Sequence, residues 1–189
     1  MTTIIRIPRV VTSGAVLDFP TVTENCQVDA SHVDFLVPAG LVQLALLLLH
    51  VAQQSTSTQF IAPEDVRVDS LLVRMGFYSH IPNGVDVVRV NDPDSIAVND
   101  QRDVLVPLRR FKTPTDAEEM GEELIQFIRG HDLPPPLHRV IWDIASELCD
   151  NAATHSGSEN GAFLAAQSYP LDDLGHIAVA DLGVGIRRH

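Results

Sequence analysis

Short apolar runs, each closed by a polar or helix-breaking residue, dominate the first hundred positions of this chain. Thr3 to Ile7 alternates and predicts a strand, and Val33 to Val37 predicts another that ends at Pro38. Gly40 then opens a Leu-rich helix to about Gln53. It is apolar on all faces, which suits a helix packed on a sheet and covered by neighbours. Gln59 to Ala62 reads as a strand. Pro63-Glu64-Asp65 begins a second helix, with Val66, Leu71, Leu72 and Met75 on one face and Gly76 as its C-cap. Strand, helix, strand, helix at this spacing predicts an α/β layer with parallel pairing.

The stretch Asn91 to Arg102 is polar and rich in Asp and Asn, so it reads as a linker. It divides the chain into a domain over 1–92 and a second over 103–189. In the second, Val104 to Leu108 reads as a strand. Thr115-Asp116-Ala117-Glu118 has the spacing of a capping box for a helix to about Arg129. That helix places Ala117, Met120, Leu124, Phe127 and Ile128 on one face, and Gly130 ends it. The prolines at 134–136 suit a helix start, where a missing N–H costs nothing. The next helix runs from about Pro136 to Thr154, with Ile141, Ile144, Ala145, Leu148 and Ala152 at core spacing. A hairpin follows: Gly161 to Ser168, a turn over 170–175, and His176 to Ala180.

Charge narrows the function classes. The chain carries 13 basic and 25 acidic residues, a formal charge of −12 over 189 residues. Sequence-independent nucleic-acid binding and anionic membranes both call for Lys and Arg, so neither is expected as a partner. The densest basic group, Arg109, Arg110 and Lys112, reads as a solvated strand end. The most apolar run, Leu41 to Ala52, is shorter than the roughly 20 residues a bilayer span needs. The N-terminus lacks the apolar segment of a signal peptide, and two distant cysteines, Cys26 and Cys149, make no disulfide framework. A cytoplasmic location is the expectation.

The chemistry concentrates near the C-terminal end. Asp143, Glu147 and Asn151 fall at i, i+4 and i+8, a polar stripe on the last helix. Such a stripe is ordinarily a solvent face. The text around it, Glu147-Leu148-Cys149-Asp150-Asn151-Ala152-Ala153-Thr154-His155-Ser156, resembles the asparagine box of the Bergerat-fold ATPases, which include gyrases, histidine kinases and anti-sigma-factor kinases. A carboxylate and a carboxamide four residues apart point to one side of a helix. The amide oxygen of Asn151 is a hard ligand suited to Mg²⁺ beside phosphates. Glu147, one turn earlier, is placed to take a proton from an attacking water or hydroxyl. The resemblance implies these same roles.

A second motif follows the hairpin: Asp181-Leu182-Gly183-Val184-Gly185-Ile186. Glycines at a strand end let the backbone turn and approach a flat ligand, and the Asp carboxylate can accept a hydrogen bond from an exocyclic amine. Alone, this D-x-G-x-G is a plain turn. Paired with the helix motif thirty residues earlier (181 − 151), it resembles the first glycine box of the same family. The resemblance implies that Asp181 recognises the adenine amino group and that Gly183 and Gly185 line the nucleotide. ATP and Mg²⁺ are the implied cofactors. His155 reads as a C-cap, Cys149 as a small core residue and His131 as a loop residue without a special role.

Residues 33–81, with the turn Val37-Pro38-Ala39-Gly40-Leu41 and the segment Leu71 to Ile81, resemble a STAS domain, the fold of anti-sigma-factor antagonists. Many of these carry a Ser or Thr at that turn which a partner kinase phosphorylates. Here it is Pro38-Ala39-Gly40, so the resemblance implies a docking module not switched by phosphorylation there.

The fold expected is therefore α/β: a STAS-like domain followed by a partial two-layer sandwich of the Bergerat type. The family's lid and second glycine-rich motif are not found before His189, so weak or absent turnover is expected of this form. The strand His176 to Ala180 becomes a sheet edge, which invites a homodimer. Two readings stand. One is an ATP-binding regulator, an ATPase or a Ser/Thr kinase when complete, acting on a protein partner. The other is a non-catalytic scaffold with a vestigial nucleotide site.

Overall fold

A computed structural model describes residues 2–92, 105–131, 133–169 and 174–183. The fold is mixed α/β. The chain divides into two compact units, Met1–Asn99 and Asp100–His189.

The N-terminal unit is built on a four-stranded parallel sheet. Its strands are β1 (Thr2–Arg6), β3 (Asn25–Asp29), β5 (Ser57–Ile61) and β6 (Val85–Val88), in the order β1-β3-β5-β6. Two short strands, β2 (Val10–Val11) and β4 (Phe35–Leu36), pair parallel beside it. Periodicity does not flag Asn25–Asp29, yet it sits inside the sheet. Its inward residues Cys26 and Val28 are in register with Thr58 and Phe60 of β5, and all four are buried. The strand expected over 33–37 is only the two residues of β4.

Helix α1 (Pro38–Gln54) starts two residues earlier than its glycine suggests, because Pro38 stands in its first turn. Leu41, Leu44, Leu46, Leu47 and Leu48 are each at most 2% exposed. Each such side chain contributes roughly 1.5–3 kcal/mol on burial. Helix α2 (Val66–Arg74) buries Val68, Asp69 and Leu72, while Val66 is 52% exposed. The expected face of Val66 and Leu71 is therefore rotated. The N-cap Asp65, whose carboxylate accepts from the Arg67 N–H, sets the helix start and with it the inward arc. Met75 is the C-cap, and Gly76 follows at φ 68°, a left-handed conformation that suits glycine.

Asp69 is fully buried yet charged-group satisfied. Arg89 donates to it at 2.9 Å, the Tyr78 hydroxyl donates to its other oxygen, and the Arg89 guanidinium lies 4.2 Å from the Tyr78 ring centre. The triad ties α2, the 3-10 turn Phe77–His80 and the residue after β6 together.

The C-terminal unit has an antiparallel sheet, β7 (Leu105–Phe111), β8 (Ala162–Tyr169) and β9 (Leu174–Asp181), in that order. Helices α3 (Pro114–Arg129) and α4 (Pro135–Thr154) cover one face. The capping box begins at Thr113, not Thr115. Thr113 Oγ1 accepts from the Asp116 N–H, and Asp116 accepts from the Thr113 N–H in return. Pro114 decides the register, since a proline fits the first helical position and Thr113 is then the cap. The core joins Leu124, Phe127 and Ile128 of α3 to Ala145, Cys149 and Ala152 of α4 and to Ala162, Leu164 and Ala166 of β8.

No helix among the described residues is long and apolar enough to cross a membrane. The basic trio at the end of β7 is used inside the unit: Arg109 pairs with Glu123, Arg110 donates to the Asn160 carbonyl and Lys112 to the Glu159 carbonyl.

Candidate functional site

The helix α4 sits on the sheet by small side chains. Ala145, Cys149 and Ala152 face the core, whereas Ile144 and Leu148, expected there, are 57% and 41% exposed. At about 100° per residue, an inward arc centred on Ala145, Cys149 and Ala152 leaves positions 144 and 148 on the helix side. Small inward residues let α4 lie close to β8 and β9. Burial pushes the Cys149 thiol up to about 11, as for an inert core residue.

Glu147 and Asn151 are both exposed on α4, and the Asn151 Nδ2 donates to Glu147 Oε1 at 3.1 Å. This bond fixes the amide. Its nitrogen faces Glu147, and the oxygen, the atom suited to a hard cation, is turned away. His155 closes the helix as its C-cap, with its N–H on the Asn151 carbonyl. His131 also has a local structural place, its Nδ1 lying 2.7 Å from the Phe127 carbonyl at the end of α3.

Asp181 ends β9. Strand register pairs Ile177 with Ala166, Val179 with Leu164 and Asp181 with Ala162. Ala162, Leu164 and Ala166 belong to the core beneath the helices, so Asp181 stands on the helix-covered face, half-buried. One carboxylate oxygen, Oδ1, accepts the Gly183 N–H at 2.6 Å, which leaves Oδ2 for another donor. Gly183 has no room for a side chain, since an added Cβ would collide with the Ser156 carbonyl. Gly185 lies outside the described residues.

Ser156 is the residue that sequence reasoning missed. It is buried, its Oγ donates to the Ala152 carbonyl at 2.6 Å and accepts the Ser158 N–H at 3.1 Å. These bonds turn the chain sharply after α4, and the turn carries the Ser156 carbonyl against Gly183. The signal available was a Ser-Gly-Ser run directly after a helix. Through this contact the ends of α4 and β9 meet, with Asn151 five residues before it (156 − 151) and Asp181 two before Gly183 (183 − 181).

The donor set fits a nucleotide with a hard cation: a carboxamide oxygen, a carboxylate one helical turn away, a second carboxylate with a free oxygen, and a glycine at close approach. Among the described residues no three His, Cys, Asp or Glu side chains group as a metal cluster. A Mg²⁺ here would be held through Asn151 and its ligand's phosphates. A cleft of about 300 Å³ opens between α3 and α4 beside Trp142 and Ser146, and another of about 530 Å³ lies by Arg6, His32 and Asp29. Neither includes Glu147, Asn151 or Asp181.

No family model, no curated protein and no solved structure matches this chain.

Proposed function

We propose that the C-terminal unit is a nucleotide-binding module that takes Mg·ATP across the ends of α4 and β9. The observation that supports this reading is the packing of Gly183, two residues past Asp181, on Ser156, in the turn that follows the helix carrying the Glu147–Asn151 pair. The roles follow from chemistry. Asp181 accepts the exocyclic amine of adenine through Oδ2. Asn151 supplies an amide oxygen to Mg²⁺. Glu147 takes a proton from the water or hydroxyl that attacks the terminal phosphate. Bound Mg²⁺ neutralises charge on the phosphates. The N-terminal unit then docks a protein partner, and nucleotide occupancy regulates that docking in the cytoplasm. This belongs with the Bergerat type of ATPase and with a STAS-like docking domain.

A specific observation favours a second reading. Glu147 and Asn151 are both exposed to water on α4, which fits a binding or scaffold module without turnover. Glu147→Ala separates the two. Under the first reading phosphate release or transfer by the purified chain falls about 10²- to 10⁴-fold while ATP affinity changes little. Binding without turnover in the parent chain supports the second reading as a binding module, and a chain that binds no nucleotide contradicts the first reading and leaves the second only as a scaffold.

A further inference from the structure

Helix α4 carries an exposed apolar stripe. Leu137, Val140, Ile144 and Leu148 are 46%, 50%, 57% and 41% exposed. Their spacing of three, four and four residues is that of a helix side that packs on something. Trp142, Ser146 and Asp150 line the cleft with α3, so the stripe lies on the opposite flank of α4. That flank stands above β9, because α4 packs on Ile177 and Val179. β9 is the last strand of its sheet among the described residues. One side of the unit therefore presents a strand edge and an apolar helix stripe together.

We propose that this flank is the contact surface for a second copy of the chain, with β9 antiparallel to its symmetry mate and the two α4 stripes facing each other. Three observations favour an identical copy. First, an isologous two-fold contact supplies a strand for the edge and a stripe for the stripe at once. Second, the area suffices. Eight strand residues make an edge roughly 26 Å long, and one sheet layer plus one helix layer is about 20 Å high, giving roughly 500 Å² per copy and roughly 1,000 Å² in all. Third, the strand edge is not blunted. Leu174–Asp181 holds no Lys, Arg or Pro to blunt the edge, and the acidic run Glu118, Glu119, Glu122 and Glu123 is on α3.

The overall charge of −12 opposes self-association at long range, so added salt tightens this dimer. A contact built on ion pairs would loosen instead.

The test is sedimentation equilibrium of the full chain without nucleotide, at low and high salt. The parent chain forms dimers that tighten with salt. Ile144→Glu weakens them at least about ten-fold with unchanged circular dichroism, while Val16→Glu, a control at an 84% exposed apolar position, leaves them intact. Should Ile144→Glu fail to fold, hydrogen exchange of the parent chain decides: β9 amides gain protection as concentration rises. A monomer at every concentration, or a dimer that Val16→Glu breaks and Ile144→Glu spares, overturns the proposal.

Discussion

Gly183 rests its backbone against the Ser156 carbonyl, and the space a side chain would need there is filled. A methyl group at 183 must push the end of β9 off the turn that follows α4. Overpacking of this kind costs about 1–3 kcal/mol. Gly183→Ala therefore lowers the melting temperature of the C-terminal unit and weakens ATP binding by more than Gly175→Ala, where no atom stands within contact range of an added methyl. Calorimetry and nucleotide titration on the two variants check this.

The start of α3 yields a paired prediction. Thr113→Ala removes the hydroxyl that accepts the Asp116 N–H and costs about 1 kcal/mol. Thr115→Ala, at an exposed position inside the helix, changes stability by less than about 0.5 kcal/mol. Urea unfolding of both distinguishes them, and equal effects would contradict the cap assignment.

The buried triad of the N-terminal unit predicts an asymmetric result. Asp69→Ala strands the Arg89 guanidinium, which is only 15% exposed, and costs about 3 kcal/mol or more. Tyr78→Phe removes one donor and costs about 1 kcal/mol. Burial and the Asp69 carboxylate both raise the Tyr78 hydroxyl's pKa, so it remains a donor at any ordinary pH. Unfolding monitored in the N-terminal unit ranks the two variants.

Acid sensitivity follows from two helix caps. The Arg67 guanidinium and backbone hold the Asp65 carboxyl down at about 2, and the Lys112 and Thr113 backbone N–H groups lower that of Asp116. Each folded value lies below the unfolded one. Their stabilisation is thus complete above the ordinary carboxylate range near pH 4 and is lost as pH falls toward 2. Carboxyl carbon shifts followed by NMR should place the Asp65 midpoint near 2, and Asp65→Asn should flatten stability between pH 4 and 2. Both groups are partly exposed, so salt reduces the effect.

The parts of this fold that depend on local chemistry were legible. The i, i+4 spacing of Glu147 and Asn151 dictates a shared helix side whatever the tertiary setting, and the observed bond between them follows from it. The alternation of β9 likewise fixes which face Asp181 joins. Features set by packing were not legible. Asn25–Asp29 has only two inward apolar residues, and its neighbours on both sides make it a strand. Ile144 and Leu148 have the spacing of core residues, but Ala145, Cys149 and Ala152 allow closer approach to the sheet and win the inward arc. The Ser156 turn arises from a side-chain to backbone bond that no hydrophobic pattern encodes.

The proposed Mg·ATP site is the corner built from the ends of α4 and β9. Isothermal titration of the chain with ATP, with and without Mg²⁺, tests it most directly when repeated on Asp181→Asn and Asn151→Ala. Binding is expected that Asp181→Asn weakens at least about ten-fold with or without the metal, and that Asn151→Ala weakens only when Mg²⁺ is present. No binding by the parent chain, or binding untouched by both substitutions, would contradict it.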